Sequence, residues 1–262
     1  MSHEFRLRED FLLAMKAINV RPQTLNAKTD MRSLRRFCKQ LSHFIDPTRL
    51  QSREDPLDCL IATILSQHTS DINSGRAFIR LKQAFPTWEQ ARQASPREIE
   101  AAIACGGLAK IKSQRIKQVL TKLTHKESGE LNVDLEFLRA MSIPEARAFL
   151  CALPGVGLKT ASCVLLFALG RPVCPVDTHV LRVAQRAGLI EPNMNADKAT
   201  LALEAITPDD CMLVLHLGLI YVGRTTCRPR QPNCPECIIN DMCEYARMHF
   251  VPKELAGSRA KR

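Results

Sequence analysis

Residues 153–161 read LPGVGLKTA and join two predicted helices, the second of which begins near Leu158. Gly155 and Gly157 stand two residues apart in this turn, and glycine permits positive φ and a close approach of the backbone to another group. A Gly-x-Gly turn that leads into a helix presents free N–H groups at the positive end of the helix dipole, which suits a phosphate. A plain corner between two helices fits the same spacing, whereas the P-loop and dinucleotide-binding patterns do not match it.

Two charged residues near this turn are candidates for chemistry. Lys159 lies in the first turn of the second helix, where the helix dipole disfavours a cation and so favours a neutral, nucleophilic amine. Asp177 lies in residues 176–180, VDTHV, ahead of an amphipathic run, and this position predicts a helix N-cap. A carboxylate held at a helix end can also stabilise a developing cation or accept a proton. The alternatives are a lysine that only touches phosphate and an aspartate that only caps.

Four of the eleven cysteines crowd into residues 227–243. Thiolates gathered in one short loop can surround a metal centre, and such soft ligands select zinc or an iron–sulfur cluster. Structural zinc sites usually offer two close cysteine pairs. Only one such pair is present, so the wide spacing of the others favours the larger cluster, with two disulfides as the alternative. The candidate ligands are Cys227, Cys234, Cys237 and Cys243.

Composition limits the class of protein. The 262 residues include 37 Lys and Arg against 27 Asp and Glu, which gives a net charge of +10, and 45% of them are hydrophobic. That apolar fraction excludes a disordered chain, and the basic excess favours a nucleic acid as partner. No apolar run approaches the ~18 residues of a membrane span. An odd number of cysteines without a signal-peptide pattern favours a reducing compartment, so we expect a cytoplasmic, nucleoid-associated protein with no membrane contact.

Helical periodicity dominates the chain. Residues 57–65 repeat apolar side chains at i, i+3, i+4 and i+7. Ser95 and Thr207 each stand directly before a proline, and Ser142 stands two residues before one, which is the signature of a capped helix start. No run alternates strictly between polar and β-branched residues. The predicted fold class is all-α.

Taken in order, LPGVGLKTA, VDTHV and the C-x6-C-x2-C-x5-C loop resemble the helix-hairpin-helix DNA glycosylases, in particular the endonuclease III branch with its [4Fe–4S] cluster. The resemblance extends from about residue 33 to residue 247. It implies a two-domain, all-α fold, with a six-helix barrel over residues 48–171 and an iron–sulfur domain over residues 172–262 that ends in a basic tail. Residues 1–47 would join the iron–sulfur domain, although the resemblance does not account for residues 1–30. DNA would bind in the cleft between the two domains.

The resemblance also implies roles for single residues. The amine of Lys159 would attack C1′ of the damaged nucleotide, displace the base and form a Schiff base, after which β-elimination nicks the strand. Asp177 would assist the lysine and stabilise the cationic sugar. The nucleotide would be flipped out of the duplex, because its reacting carbon is otherwise inaccessible. Gly155, Val156 and Gly157 would hold a backbone phosphate, and the four clustered cysteines would ligate the [4Fe–4S] cluster.

Two further segments resemble parts that the family inserts into DNA. Residues 66–69, SQHT, match the segment that fills the gap left by the flipped base. Either Gln67 or His68 would be the inserted side chain. Leu108 matches the wedge residue that enters between bases.

Basic residues follow this wedge. Because they come directly after a loop that would insert into DNA, we expect phosphate contacts for Lys110 and Lys112. Each neutralised phosphate would steepen the salt dependence of DNA binding.

The function that the resemblance implies is that of a base-excision-repair DNA glycosylase with abasic-site lyase activity, acting on oxidised pyrimidines such as thymine glycol. Its partner would be damaged double-stranded DNA, and we expect a monomer. One alternative is a thymine or uracil mismatch glycosylase. The other is a non-catalytic iron–sulfur DNA-binding protein, which would need neither Lys159 nor Asp177.

Overall fold

The computed structural model describes residues 31–50, 55–124 and 135–250. These residues contain twelve α-helices and no β-strand, which confirms the predicted all-α class. None of the helices in this described part is long and apolar enough to cross a membrane. The helices are α1 (Met31–Ser42), α2 (Pro56–Ser66), α3 (Asp71–Ala84), α4 (Trp88–Gln93), α5 (Pro96–Ala102), α6 (Ala109–Lys122), α7 (Ile143–Cys151), α8 (Leu158–Cys163), α9 (Thr178–Ala187), α10 (Ala196–Ile206), α11 (Met212–Thr225) and α12 (Glu244–His249).

The described residues form two compact units. The first unit contains α2 to α8 and ends at Arg171, and the second contains α1 together with α9 to α12. The expectations for residues 1–30 and for the basic tail of residues 256–262 lie outside the described residues.

Burial of α2 organises the first unit. This helix packs against α3, α6 and α8. Each large aliphatic side chain that is fully buried contributes about 1.5–3 kcal/mol to folding. Five such side chains of α2 are 0% exposed, namely Leu57, Leu60, Ile61, Ile64 and Leu65.

Helix starts follow the capping signals for two of the three predicted positions. The hydroxyls of Ser95 and Ser142 accept hydrogen bonds from the backbone N–H three residues later, and a glutamate at that third position bonds back to each serine. The third position, Thr207, is not an N-cap but the C-cap of α10. A 3₁₀ turn over Asp209–Cys211 comes between it and α11, and the buried Thr207 hydroxyl has no hydrogen-bond partner in the described part of the chain.

The helix that begins at Leu158 changes its winding partway. We predict one apolar helix to Leu169, but α8 ends at Cys163 and the chain continues as a π-helical segment over Val164–Ala168. The Arg139 guanidinium donates to the carbonyls of Ala168 and Leu169 at 3.0 and 3.1 Å, so it bonds carbonyls that the end of the helix leaves open.

Two helical glycines offer a test of this packing. A Cβ on Gly218 of α11 would lie 2.6 Å from Cβ of Leu41 on α1, whereas a Cβ on Gly75 of α3 would meet nothing within 4 Å. We expect Gly218→Ala to lower the free energy of unfolding by about 1–3 kcal/mol, because it overpacks a buried contact. Gly75→Ala should raise it by about 0.5–1 kcal/mol, because alanine loses less backbone entropy. Chemical denaturation measures both, and equal stability of the two variants would contradict the contact between α1 and α11.

Candidate catalytic and DNA-binding site

The turn between α7 and α8 is a tight hairpin. Val156 N donates to the Leu153 carbonyl at 3.2 Å, and both side chains are buried. Gly155 has φ of +73°, a left-handed conformation that favours glycine. Gly155 and Gly157 are exposed, and within the described chain their N–H groups donate to no other backbone group. The buried side chains anchor the hairpin, and the exposed backbone N–H groups form the surface that can bind an anion.

Gln67 and Arg115 brace this hairpin from two other helices. Gln67 follows the last residue of α2, and its side-chain amide donates to the Gly155 carbonyl at 3.4 Å and to the Thr160 hydroxyl at 3.3 Å. The Arg115 guanidinium of α6 donates to Gln67 Oε1 at 2.7 Å. A Cβ on Gly155 would lie 2.8 Å from Arg115 Cδ, so only glycine accepts the arginine at this distance. The sequence does not single out Arg115, which is one of the basic residues that follow Leu108.

Lys159 is the second residue of α8 and follows the hairpin directly. Its side chain is half-buried, and its ammonium forms no hydrogen bond or ion pair with the described residues. The next residue, Thr160, is buried and bonded to Gln67. The lysine amine is therefore uncommitted while the backbone beside it is fixed.

Asp177, in the second unit, is the N-cap of α9, as its sequence position predicts. Its Oδ1 accepts hydrogen bonds from the backbone N–H groups of His179 and Val180, both at 2.8 Å. Its Oδ2 makes no hydrogen bond to a residue that the structure describes. One oxygen thus holds the carboxylate at the helix end, and the other remains available for chemistry.

The two segments expected to insert into DNA have unusual backbone conformations. His68 has φ of +53° and Leu108 has φ of +51°, and both side chains are exposed, Leu108 by 51%. A non-glycine residue in this region costs free energy and needs support from its surroundings. The Gln67 side chain, in contrast, is hydrogen-bonded to the hairpin. Of the two candidates for the inserted side chain, Gln67 is therefore held in place and His68 is exposed.

The expectation of a phosphate contact at Lys112 is wrong. Its side chain is 1% exposed, and its ammonium donates to the carbonyls of Leu65 at 2.7 Å and Gly106 at 2.9 Å. Burial lowers the pKa of Lys112. Lys110, two residues earlier on the same helix, is exposed. The helical turn points one lysine outward and the other into the protein, and the basic run in the sequence does not show this.

The four clustered cysteines of the second unit line one cavity. The described residues contain no group of three or more His, Cys, Asp or Glu close enough to hold a single metal ion. All eleven cysteines of the chain lie among these residues, and none forms a disulfide. Four thiols that line one cavity form a soft donor set of the kind that holds zinc or an iron–sulfur cluster.

Electrostatics around this cavity also fit a metal centre. Burial, with the neighbouring thiols contributing, raises the pKa of the Cys234 thiol, and burial raises that of Cys243. The Arg186 guanidinium donates to Cys227 Sγ at 3.4 Å and lies over the Tyr245 ring. Thiolates in such an apolar pocket need positive charge, which bound metal supplies.

Comparison with known proteins identifies the family. Residues 61–209 match the family described as HhH-GPD superfamily base excision DNA repair protein. Endonuclease III of Escherichia coli is 34% identical over 199 residues, which cover 76% of this chain and 88% of that protein. Endonuclease III of Thermotoga maritima is 31% identical over 76% of this chain and 87% of that protein. A putative DNA glycosylase of Arabidopsis thaliana is 37% identical, and the match spans 65% of its length and 76% of this chain.

Solved structures give the same result for the fold. A trapped covalent intermediate of an endonuclease III with DNA superimposes with a TM-score of 0.69 at 27% identity, covering 85% of this chain and all of that one. A thermostable thymine-DNA glycosylase, at 22% identity and a TM-score of 0.68, shares the fold over 83% of this chain and 98% of that one. The family match covers more than half of the chain and the bacterial relatives exceed 30% identity, so the chain belongs to the HhH-GPD superfamily of base excision DNA repair proteins and, within it, to the endonuclease III-like DNA glycosylases.

Proposed function

We propose that this glycosylase removes oxidised pyrimidines such as thymine glycol from double-stranded DNA and then cleaves the abasic site by β-elimination. The observation that carries the proposal is the uncommitted amine of Lys159, held directly after the hairpin. An amine at this position can form a covalent bond to C1′, whereas water as the nucleophile leaves no link between the protein and the DNA. The name endonuclease III, which the bacterial relatives bear, denotes strand cleavage and supports the lyase step.

Lys159 is the nucleophile in this reaction. Its neutral amine attacks C1′, the bond from C1′ to the base breaks, and the base departs with the bonding pair and takes up a proton. The sugar ring opens at O4′ as nitrogen loses its remaining proton to form the Schiff base. Loss of a proton from C2′ then expels the 3′ phosphate, and water releases the amine. The solved relative trapped as a covalent intermediate with DNA supports a covalent step.

Asp177 supplies the carboxylate. Its Oδ1 is held by two backbone N–H groups, so Oδ2 has a fixed direction before any substrate is bound. A carboxylate so fixed stabilises the positive charge that develops on the sugar and accepts the proton that the amine must lose. The hairpin binds a backbone phosphate through the free N–H groups of Gly155 and Gly157, while the Val156 N–H stays bonded to the Leu153 carbonyl. Exposed Lys110 binds another phosphate.

His68 fills the gap left by the flipped base in this proposal. It is exposed, whereas the Gln67 amide bonds Gly155 and Thr160 and accepts from Arg115. Insertion of Gln67 would break these bonds, and insertion of His68 would not. Leu108 is the exposed wedge.

The cysteines that line the cavity hold a [4Fe–4S] cluster, with Cys227, Cys234, Cys237 and Cys243 as ligands. When bound, the cluster supplies iron–thiolate bonds that crosslink the loop, together with a centre that can change oxidation state. Arg186 steadies the loop by donating to the carbonyls of Arg228 and Pro229 at 2.7 and 2.9 Å.

Borohydride trapping tests the lyase step. With duplex DNA containing thymine glycol or an abasic site, borohydride should reduce the Schiff base and leave a covalent protein–DNA adduct. Lys159→Ala should form none, and Lys198→Ala, which removes an exposed lysine of α10, should form as much as the wild type. Adduct formation by Lys159→Ala, or its absence from the wild type on every damaged duplex, contradicts the mechanism. If thymine is released from a G·T mismatch faster than thymine glycol is released from damaged DNA, the substrate is a mismatched thymine and not an oxidised pyrimidine.

Asp177→Asn separates chemistry from capping. Asparagine caps a helix as well as aspartate does, so the melting temperature should stay at the wild-type value. Base release should fall by about 10²–10⁴-fold, the contribution of a positioned acid–base group. Asp177→Ala should lose the same activity and, in addition, about 1 kcal/mol of stability from the missing cap. Single-turnover kinetics and thermal melts give both values, and full activity of Asp177→Asn would reduce Asp177 to a cap.

Iron analysis tests the cluster. Protein purified without oxygen should be brown, with broad visible absorption and iron and acid-labile sulfide in equal amounts. Cys237→Ser should lower both and reduce thermal stability, because a ligand is lost. Cys105→Ser, a half-buried cysteine outside the loop, should retain the full absorption. A colourless protein that contains zinc would contradict the assignment.

A further inference from the structure

Lys112 bridges two parts of the first unit that are far apart in the sequence. Its ammonium donates to the carbonyl of Leu65, at the end of α2, and to the carbonyl of Gly106, at the end of a 3₁₀ turn. Leu65 belongs to the last turn of its helix, where carbonyls lack a partner within the helix. One buried ammonium therefore satisfies acceptors at the ends of two separate segments.

Each of these acceptors stands shortly before an exposed side chain on a left-handed backbone. Leu65 is three residues before His68, and Gly106 is two residues before Leu108. Only one other non-glycine residue in the described part of the chain has positive φ. Such conformations persist where the surroundings hold them, and Lys112 holds the chain just ahead of both.

The two segments also lie close to each other. A Cβ on Gly107 would lie 3.7 Å from Oγ1 of Thr69, which follows His68. A Cβ on Gly106 would lie 2.8 Å from Cβ of Ala77, so α3 fixes the second segment from its other side. The bridge through Lys112 therefore joins two segments that are already close in space.

A buried ammonium is costly, and an apolar side chain would fill the same volume without removing a charge from water. What the ammonium alone supplies is a pair of charge-assisted hydrogen bonds between the two segments. Packing therefore does not account for a lysine here, and neither does phosphate binding, because the side chain is 1% exposed.

We propose that Lys112 is a positioning residue that holds residues 66–69 and 106–108 together as one rigid unit, so that His68 and Leu108 insert into damaged DNA together. This inference rests on the proposed function, in which these two side chains contact the lesion site. It assigns their alignment to a residue that touches no DNA.

Lys112→Met tests the bridge, because methionine keeps the length of the side chain and removes the donors. The probes are a duplex with a tetrahydrofuran abasic analogue and the same duplex undamaged. We expect affinity for the analogue to fall by about tenfold or more, as displacement of positioned groups does. Affinity for the undamaged duplex and the salt dependence of binding should stay at wild-type values. An equal loss on both duplexes, with a salt slope smaller by about 0.9, would show a phosphate contact and overturn the proposal.

Lys110→Met is the matched control, on the same helix but exposed. It should weaken both duplexes alike and reduce the salt slope by about 0.9, which is the pattern of a phosphate contact. A 2-aminopurine opposite the analogue reports insertion by its fluorescence. Its signal should persist in Lys110→Met at saturating protein and fall in Lys112→Met.

A double-mutant cycle tests the same idea without altering Lys112, and it decides the matter where Lys112→Met does not fold. His68→Ala and Leu108→Ala are measured singly and together for binding to the analogue. If the two segments form one rigid unit, the loss of affinity in the double variant should be smaller than the product of the two single losses by about fivefold or more, because residues in one unit are energetically coupled. Simple multiplication of the two losses would overturn the proposal.

The wild-type protein separates this inference from the proposed function. If the wild type binds the analogue and the undamaged duplex with equal affinity, the proposed function itself is contradicted. If folded Lys112→Met keeps the wild-type preference for the analogue, only the proposed role of Lys112 is contradicted.

Discussion

Water is excluded from the large aliphatic side chains of α2, and α3, α6 and α8 each bury part of their own apolar surface against this helix. This shared burial fixes where α2 ends. Gln67, directly after that end, bonds the hairpin ahead of α8, and the Leu65 carbonyl accepts from Lys112. The groups proposed to contact DNA in the first unit thus take their positions from one apolar helix, although none of them belongs to its core.

The sequence predicts those features that depend on neighbours along the chain. Ser95 and Ser142 cap their helices because the acceptor and the N–H groups lie within one turn, and Asp177 does so for the same reason. The crowding of four cysteines within residues 227–243 predicts a shared site, and one cavity does gather them. These features are determined by interactions between residues that are close along the chain, so the sequence alone is enough to predict them.

Features that depend on distant partners were not predictable. Lys112 resembles its neighbours in a basic run, yet its long apolar stem lets the ammonium reach two buried carbonyls, and their positions follow from the fold alone. The brace formed by Gln67 and Arg115 joins residues 48 positions apart. The carbonyls at the end of the π-helical segment likewise accept from Arg139, which comes from a separate segment of the same unit.

The cap at Asp177 has a consequence for the timing of catalysis. Because the amide groups of α9 fix the carboxylate through Oδ1, the rotamer is selected as the protein folds and not as DNA arrives. The conformational entropy of orienting this group is therefore lost once, during folding, and does not recur in each turnover. The N-terminus of α9 thus keeps a reacting side chain permanently oriented, and no second side chain is needed to orient it.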